Sequence, residues 1–398
     1  MVEDMENKPR IVVVGIGGAG TNAVDNMDAS GLHGVEFVAI NTDLQALELC
    51  RTETRLHIGN KITQGLGTGA NPLLGEQAAE EDRALIAETL EGSDLVFITC
   101  GLGGGTGTGA SPVVAEVARE MGALTVAICT KPFDFEGSVR KRHAERGQRE
   151  LRDKVDTLIT VPNQRLLNLV EEETSLVDAF KISDSVLTQC VQSIADLITK
   201  PGLINLDFSD IRAIMNQMGG AVMGVGHGEG ENRALQAFQQ ASQSPLMEET
   251  VIEGAKGLLI NVTTGSSVKL HELSRAMEEQ IHPKADPDAN IIFGVVLDEE
   301  FGERMQVTIL ATGFDRDMTE KRAVEAEEEQ TRPYAGDETG FERPAYLSKG
   351  DRRSQYVEME EDEDERAGAQ EEEPVQPVRR GRGGDRGNVM PAIFGTGL

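Results

Sequence analysis

Two stretches decide the fold: IVVVGIGGAGTNAV at Ile11–Val24 and LVFITCGLGGGTGTGASP at Leu95–Pro112. In each, a short apolar run leads into glycines and then into residues that begin a helix. The apolar runs, Ile11–Val14 and Leu95–Cys100, read as buried strands. Glycine has no Cβ, so a glycine turn can curl its N–H groups around phosphate oxygens at a helix N-terminus. One such loop is a weak signal. Two, each placed after a strand and about 85 residues apart, predict a polyphosphate held from two sides.

Outward from these loops, further strands at Val35–Asn41, Leu124–Thr130 and Thr157–Val161 alternate with helical stretches. That is the pattern of an α/β, doubly wound parallel sheet, whose ligands bind at the carboxyl ends of the strands. Gly65–Pro72, GLGTGANP, adds a third loop with backbone donors, and Asn41-Thr42-Asp43 ends the second strand with polar groups and a carboxylate suited to a metal or its waters. Gly15, Gly17 and Gly20 also fit the dinucleotide fingerprint, with Glu36 as its acidic residue, which keeps a NAD-dependent oxidoreductase open. The second and third loops count against it. No GxxxxGK[ST] occurs, so the chain is not a P-loop NTPase.

A long helix is expected over Ser175–Thr199, stopped by Lys200-Pro201-Gly202. A second, smaller α+β unit follows, with strands at Gly257–Thr263, Ile291–Leu297 and Met305–Thr312. The expected organisation is a flexible N-terminus over 1–9, a nucleotide-binding domain over 10–174, a central helix over 175–200 and a second domain over 201–315. A disordered acidic linker over 316–388 and a terminal peptide over 389–398 complete it. The peptide turns apolar again around Ile393 and Phe394, which marks it as a docking segment.

The chain has 398 residues and a net charge of −30. Residues 1–320 hold 49 acidic and 26 basic side chains, and residues 321–398 hold 19 and 12, so the folded body is itself acidic. Only 12 of the 38 basic residues are Lys. An acidic body with Arg favoured over Lys points to a high-salt cytoplasm, with an ordinary acidic protein as the alternative. Nucleic acid is not an expected partner, because phosphate affinity needs clustered cations. The run Arg140, Lys141, Arg142, Arg146, Arg149, Arg152 and Lys154 reads, apart from Arg140, as a solvated helix face, with contact to an acidic neighbouring subunit as the alternative. Cys50, Cys100, Cys129 and Cys190 form no CxxC pair and are expected as buried, reduced thiols. The six histidines lack ligand spacing, so no metal site is expected. No apolar run approaches a membrane span and MVEDMENKPR is no secretory signal; a cytoplasmic location without membrane insertion is expected.

GGAGTNAV, NTDLQAL, GLGTGANP, GGGTGTGASP, TKPFDFEG and PGLINLDFSD, in this order over about 300 residues, resemble the FtsZ branch of the FtsZ/tubulin family. The resemblance implies a GTPase that polymerises head to tail and forms a ring at the division site, with Mg²⁺ accompanying GTP or GDP without dedicated protein ligands. It implies that Gly18, Ala19, Gly20, Thr21 and Asn22 contact the nucleotide, and that Thr68, Gly69 and Ala70 sense the γ-phosphate. Gly104, Gly105, Thr106 and Gly107 hold the phosphates, and Glu136 and Arg140 reach the ribose and phosphate region. Asn163, Phe180 and Asp184 form the base pocket, and Asn41 and Asp43 join the nucleotide contacts. A carboxylate at Asp184 can accept both N1–H and N2–H of guanine; Phe180, which in isolation reads as a core residue, can stack on the purine.

The resemblance makes Asn205, Asp207 and Asp210 the catalytic element, entering the γ-phosphate side of the adjacent subunit. Read alone, the two aspartates at i and i+3 are helix-capping residues. Implied partners are the protein itself and, through Ile393 and Phe394, a membrane adaptor or other division protein. The tail departs from the usual bacterial pattern, since Phe394 is followed by Gly395-Thr396-Gly397-Leu398 and no basic residue. Tail and charge together point to an archaeal source. A tubulin-like paralogue serving cell shape is the alternative with the same chemistry.

Overall fold

Ile11–Ile16 (β1) and Leu95–Gly101 (β4) form neighbouring parallel strands, paired from Ile11↔Leu95 to Ile16↔Cys100. The computed structural model describes residues 9–167, 173–200, 202–204, 207–216, 219–247 and 255–313, all within one compact unit. Asn205, the acidic stretch 316–388 and the apolar peptide with Ile393 and Phe394 lie outside the described residues.

Four further parallel strands flank this pair: β2 (Glu36–Asn41), β3 (Thr54–His57), β5 (Leu124–Lys131) and β6 (Thr157–Pro162). Their spatial order is β3-β2-β1-β4-β5-β6. Alternate residues of β1 and β4 enter two different cores. Val13 and Phe97 pack toward α1 (Gly17–Ala29) and the long helix Leu176–Thr199, while Val14 and Ile98 pack against the opposite helical layer. Helices on both faces explain why these strands are continuous apolar runs instead of alternating ones. In chain order the remaining helices of this half are α2 (Leu44–Leu49), α3 (Asn60–Thr63), α4 (Pro72–Glu81), α5 (Arg83–Leu90), α6 (Thr106–Glu120), α7 (Ser138–Arg152) and α8 (Asn163–Leu166).

The long helix is α9. Ser175 caps it by accepting from Asp178 N–H, and it runs 24 residues, about 36 Å at 1.5 Å per residue. Its apolar stripe, including Val186, Leu187, Val191 and Ile194, lies in the same core as α1 and β5. Leu259, Val296 and Leu310, farther along the chain, join that core, and polar contacts accompany it: Ser193 Oγ and Thr308 Oγ1 are 2.9 Å apart, and Asn261 Nδ2 donates to the Ser193 carbonyl at 2.9 Å.

Beyond α9 come β7 (Gly202–Ile204), α10 (Phe208–Met215), β8 (Gly219–Glu229), α11 (Arg233–Ser242), β9 (Gly257–Thr264), α12 (Leu270–Gln280), β10 (Asn290–Leu297) and β11 (Arg304–Thr312). This second half is a mixed sheet in the order β8-β11-β9-β10-β7, and β8 also pairs with β6, so one eleven-stranded sheet runs through both halves. The architecture is the expected two-domain α/β plus α+β fold. Among the described residues, no helix is long and apolar enough to cross a membrane.

β8, GGAVMGVGHGE, was not anticipated as a strand. Its glycines look like a loop in sequence, yet packing demands them. A Cβ on Gly224, Gly226 or Gly228 would stand 2.1, 2.0 or 2.0 Å from the carbonyl oxygens of Ala241, Ala237 and Arg233. Two strand residues advance about 6.6 Å and four helix residues about 6 Å, so α11 lies along β8 with each helical turn over one missing side chain. Gly226→Ala is therefore expected to lower stability by about 1–3 kcal/mol. Gly220→Ala, where a Cβ meets nothing within 4 Å, should stay within about 0.5 kcal/mol. Urea unfolding of both variants checks this.

Candidate functional site

The strand order reverses direction between β1 and β4, and in open α/β sheets the crevice at such a switch point receives the ligand. Both glycine loops open there. Their backbones touch: a Cβ on Gly17, which sits at φ +70°, would lie 2.7 Å from Gly107 N. Gly20 packs on β4 equally closely, its Cβ position 2.4 Å from the Thr99 carbonyl oxygen. Above this tight floor the space is open, since a Cβ on Gly18 or Gly104 meets nothing within 4 Å. The result is a cavity of about 210 Å³, floored by Gly18, Ala19, Gly104, Gly105, Thr106 and Gly107. The N-termini of α1 and α6 open beside it, and their unpaired N–H groups and dipoles favour an anion. A side chain at Gly18 or Gly104 would project into open space that a phosphate chain fits.

Thr21 and the third loop stiffen this floor. Thr21 is buried and its Oγ1 donates to the carbonyls of Gly17 and Gly18. Thr68 lines the cavity, and its Oγ1 is 3.3 Å from Thr106 Oγ1, which in turn is 2.6 Å from Thr42 Oγ1. Gly69 leaves open space at its Cβ position, and Ala70 holds a left-handed φ of 62°, strained for a residue with a side chain. Asn41 is buried and accepts from the N–H groups of Thr42 and Asp43. Asp43 accepts from Ala46 N–H and so caps α2. Asn41, Asp43, Gly69, Ala70, Gly20, Thr21, Asp184 and the exposed Asn22 are not among the cavity's lining residues.

The far wall comes from the loops after β5 and β6 and from α9. Glu136 accepts from Phe133 N–H at 2.8 Å and pairs with Arg140 at 3.0 Å; both line the cavity. Asn163 lines it too, with its Oδ1 accepting from Ser183 Oγ at 2.8 Å. Phe180 is 40% exposed, its ring edge-on to Phe133 with centroids 5.5 Å apart, so it is a rim residue and not a core one. Asp184 stands one turn farther along α9, where Asn26 Nδ2 donates to it at 3.3 Å. Burial raises its carboxyl from 3.8 to about 6.

Asp207 and Asp210 lie elsewhere. Asp207 Oδ1 accepts from Asp210 N–H at 2.8 Å and caps α10, and both side chains are exposed. Arg212 of the same helix reaches the Asp94 carbonyl at 3.5 Å, and Thr157 Oγ1 donates to the Met215 carbonyl. Asp94 and Thr157 sit at the amino ends of β4 and β6. The aspartate pair thus occupies the sheet edge opposite the cavity, and α9 spans the gap, from Phe180 at the cavity to Thr199 beside Gly34, ahead of β2.

A second cavity, about 630 Å³, lies between α9, β8 and α11. Five glutamines line it, with neither a glycine loop nor a Lys or Arg, so it does not match a polyphosphate's charge. Among the described residues, no three His, Cys, Asp or Glu side chains are grouped to hold a metal ion.

Residues 10–171 match the Tubulin/FtsZ family GTPase domain, and residues 219–315 match the FtsZ family C-terminal domain. An FtsZ dimer from M. jannaschii, solved empty, is 43% identical, with a TM-score of 0.74 over 78% of this chain and 89% of that one. The chain belongs to the FtsZ family. CetZ2 from Haloferax volcanii, solved as a GTPγS-bound protofilament, shares the fold at 19% identity and TM-score 0.68, covering 81% of this chain and 99% of that one. Residues 10–171 are therefore an FtsZ-type GTPase domain, and the switch-point cavity lies within the fold that binds GTP or GDP in this family.

Six lining residues were not assigned to the site from the sequence, although five of them lie in the quoted motifs: Ile16, Gly101, Leu102, Thr130, Pro132 and Ser183. Thr130 ends a strand next to the switch point, and Ser183 is three residues from Phe180 on one helix face, so strand ends and helical spacing could have found both. Between pH 3.8 and about 6 the folded protein holds a proton on Asp184 that the unfolded chain has released. That group therefore lowers stability as pH rises through the window. Asp184→Asn should flatten the slope of unfolding free energy against pH between about 4 and 6, measured by urea titration at several pH values.

Proposed function

We propose that this protein is a GTPase that assembles head to tail into filaments of the cell-division ring, each GTP site being completed by Asp207 and Asp210 of the next copy. The separation of the aspartate pair from the cavity carries this reading. Phe180 and Thr199 stand about 28 Å apart along α9 at 1.5 Å per residue. A second copy stacked on the first brings its exposed pair to the open cavity, and repetition of that contact gives a filament instead of a closed ring of subunits. The solved dimer of a relative 43% identical supports self-association.

In this reading the backbone of Gly104–Gly107 and of the α1 N-terminus holds the phosphates, and Thr68, Gly69 and Ala70 face the γ-phosphate. Glu136 and Arg140 hold the ribose region. Asn163, Phe180 and Asp184 hold guanine, with the Asp184 carboxylate ionised above about pH 6 and able to accept both N1–H and N2–H. Asp207 and Asp210 orient and polarise the attacking water from across the junction. Mg²⁺ bound with the nucleotide would supply charge neutralisation, without dedicated protein ligands. Positioning and charge stabilisation dominate phosphoryl transfer. The acidic linker and the peptide around Ile393 and Phe394 tether the filament to a membrane adaptor or another division protein, at a ring in the cytoplasm.

Phosphate release measured against protein concentration, in molar KCl with Mg²⁺ and with light scattering in parallel, tests the shared site. A threshold at which both signals rise is expected. Turnover strictly proportional to protein without scattering overturns it. Asp210→Ala should bind GTP within about twofold of the parent and lose turnover by about 10²–10⁴-fold, the worth of general-base assistance.

A further inference from the structure

Cys100 and Cys129 directly precede Gly101 and Thr130, two residues that line the nucleotide cavity. They are register partners on the neighbouring parallel strands β4 and β5. Both are fully buried, and their sulfurs are 3.3 Å apart. A Cβ on Gly107 would lie 3.5 Å from Cys100 Cβ, so the thiols form the layer directly beneath the second glycine loop. Binding and hydrolysis of GTP make no use of them. The other two thiols are single: Cys50 donates to Asp25 Oδ1, and Cys190 is buried in the core around α9.

We propose that Cys100 and Cys129 form a reversible disulfide that distorts the GTP cavity from below. The oxidant is a peroxide. One thiolate attacks hydrogen peroxide, breaking its O–O bond and forming a sulfenic acid with release of water. The second thiol then attacks that sulfur, forming the S–S bond and releasing a second water. Two thiols lose two electrons and two protons, and the peroxide becomes two waters. A dithiol reductant reverses the reaction by exchange.

Three features favour this chemistry here. Cys100 accepts from the Cys129 thiol, which lowers the Cys100 thiol and raises that of Cys129, so one sulfur is the better nucleophile. The N-terminus of α6 begins just above Cys100 and favours negative charge there. A disulfide needs sulfurs about 2.05 Å apart, so closing from 3.3 Å draws the ends of β4 and β5 together at Gly101 and Thr130. Gly107, resting on Cys100, moves with them. Both thiols are fully buried, so a small oxidant reaches them only when the loop above opens, and nucleotide seated on that loop opposes the opening.

The consequence for GTP rests on the cavity being the nucleotide site, whereas the disulfide does not. The full chain is treated with hydrogen peroxide, with and without saturating GDP, and mapped by mass spectrometry of unreduced peptides. A Cys100–Cys129 linked peptide is expected without nucleotide, forming at least tenfold more slowly with GDP. Affinity for a fluorescent GTP analogue should fall at least tenfold on oxidation and return with dithiothreitol. Cys129→Ala should bind the analogue and ignore peroxide, and Cys50→Ala/Cys190→Ala should respond as the parent does. Absence of the linked peptide, or a linked protein with unchanged affinity, overturns the proposal. Failure of the reduced parent to bind the analogue instead rejects the reading of the cavity, with the linked peptide still deciding the disulfide.

Discussion

The backbone contact between Gly17 and Gly107 is the constraint on which the rest of the molecule depends. Two loops from different strands can share one anion only if their chains meet without side chains between them. That meeting requires β1 and β4 to be neighbours, with crossovers leaving in opposite directions. It also requires the packed layer below, where Cys100 and Cys129 touch, to hold the strand ends at a fixed separation. Above the contact, missing side chains at Gly18 and Gly104 create room instead of removing it. The same residue type thus serves as close-packed floor and as open cradle a few ångströms apart.

The second organising feature is α9. One end carries Phe180 and Ser183 at the cavity, and the other reaches the amino edge of the sheet, from which β7 and α10 continue. A rigid helix converts distance along the chain into distance in space. Its apolar stripe packs on the parallel sheet and on Leu259, Val296 and Leu310 of the second half, and Ser193, Asn261 and Thr308 add polar contacts there. Movement of either half against α9 would open part of this shared apolar core.

How much of this could be read in the chain follows from whether a residue's role is local. IVVV and LVFITC are strands because both faces are covered, and an uninterrupted apolar run needs no partner to be recognised. The glycine loops, the capped start of α9 at Ser175 and its stop before Pro201 are equally local, and their bounds agree with the structure to within a residue or two. Membership of the FtsZ family was legible from motif order alone, and it removes the dinucleotide oxidoreductase that one glycine fingerprint left open. Even the capping reading of Asp207 is correct as far as its own chain goes, since its side chain accepts from Asp210 N–H.

Only the tertiary structure decided what depends on distant neighbours. β8 looks like a loop because its glycines answer to α11, a helix not yet in view when the strand is read. Asn41 and Asp43 read from the sequence as polar groups after a strand, and the structure adds that one oxygen of each accepts from the backbone of its own turn. Thr130, although it opens the TKPFDFEG motif, and Ser183, which belongs to none, reach the cavity through the strand order and the helix face. The placement of the aspartate pair at the far sheet edge is the clearest case. Sequence determines which groups a chain possesses and which local shapes it prefers, while separation and orientation come from packing across the whole sheet.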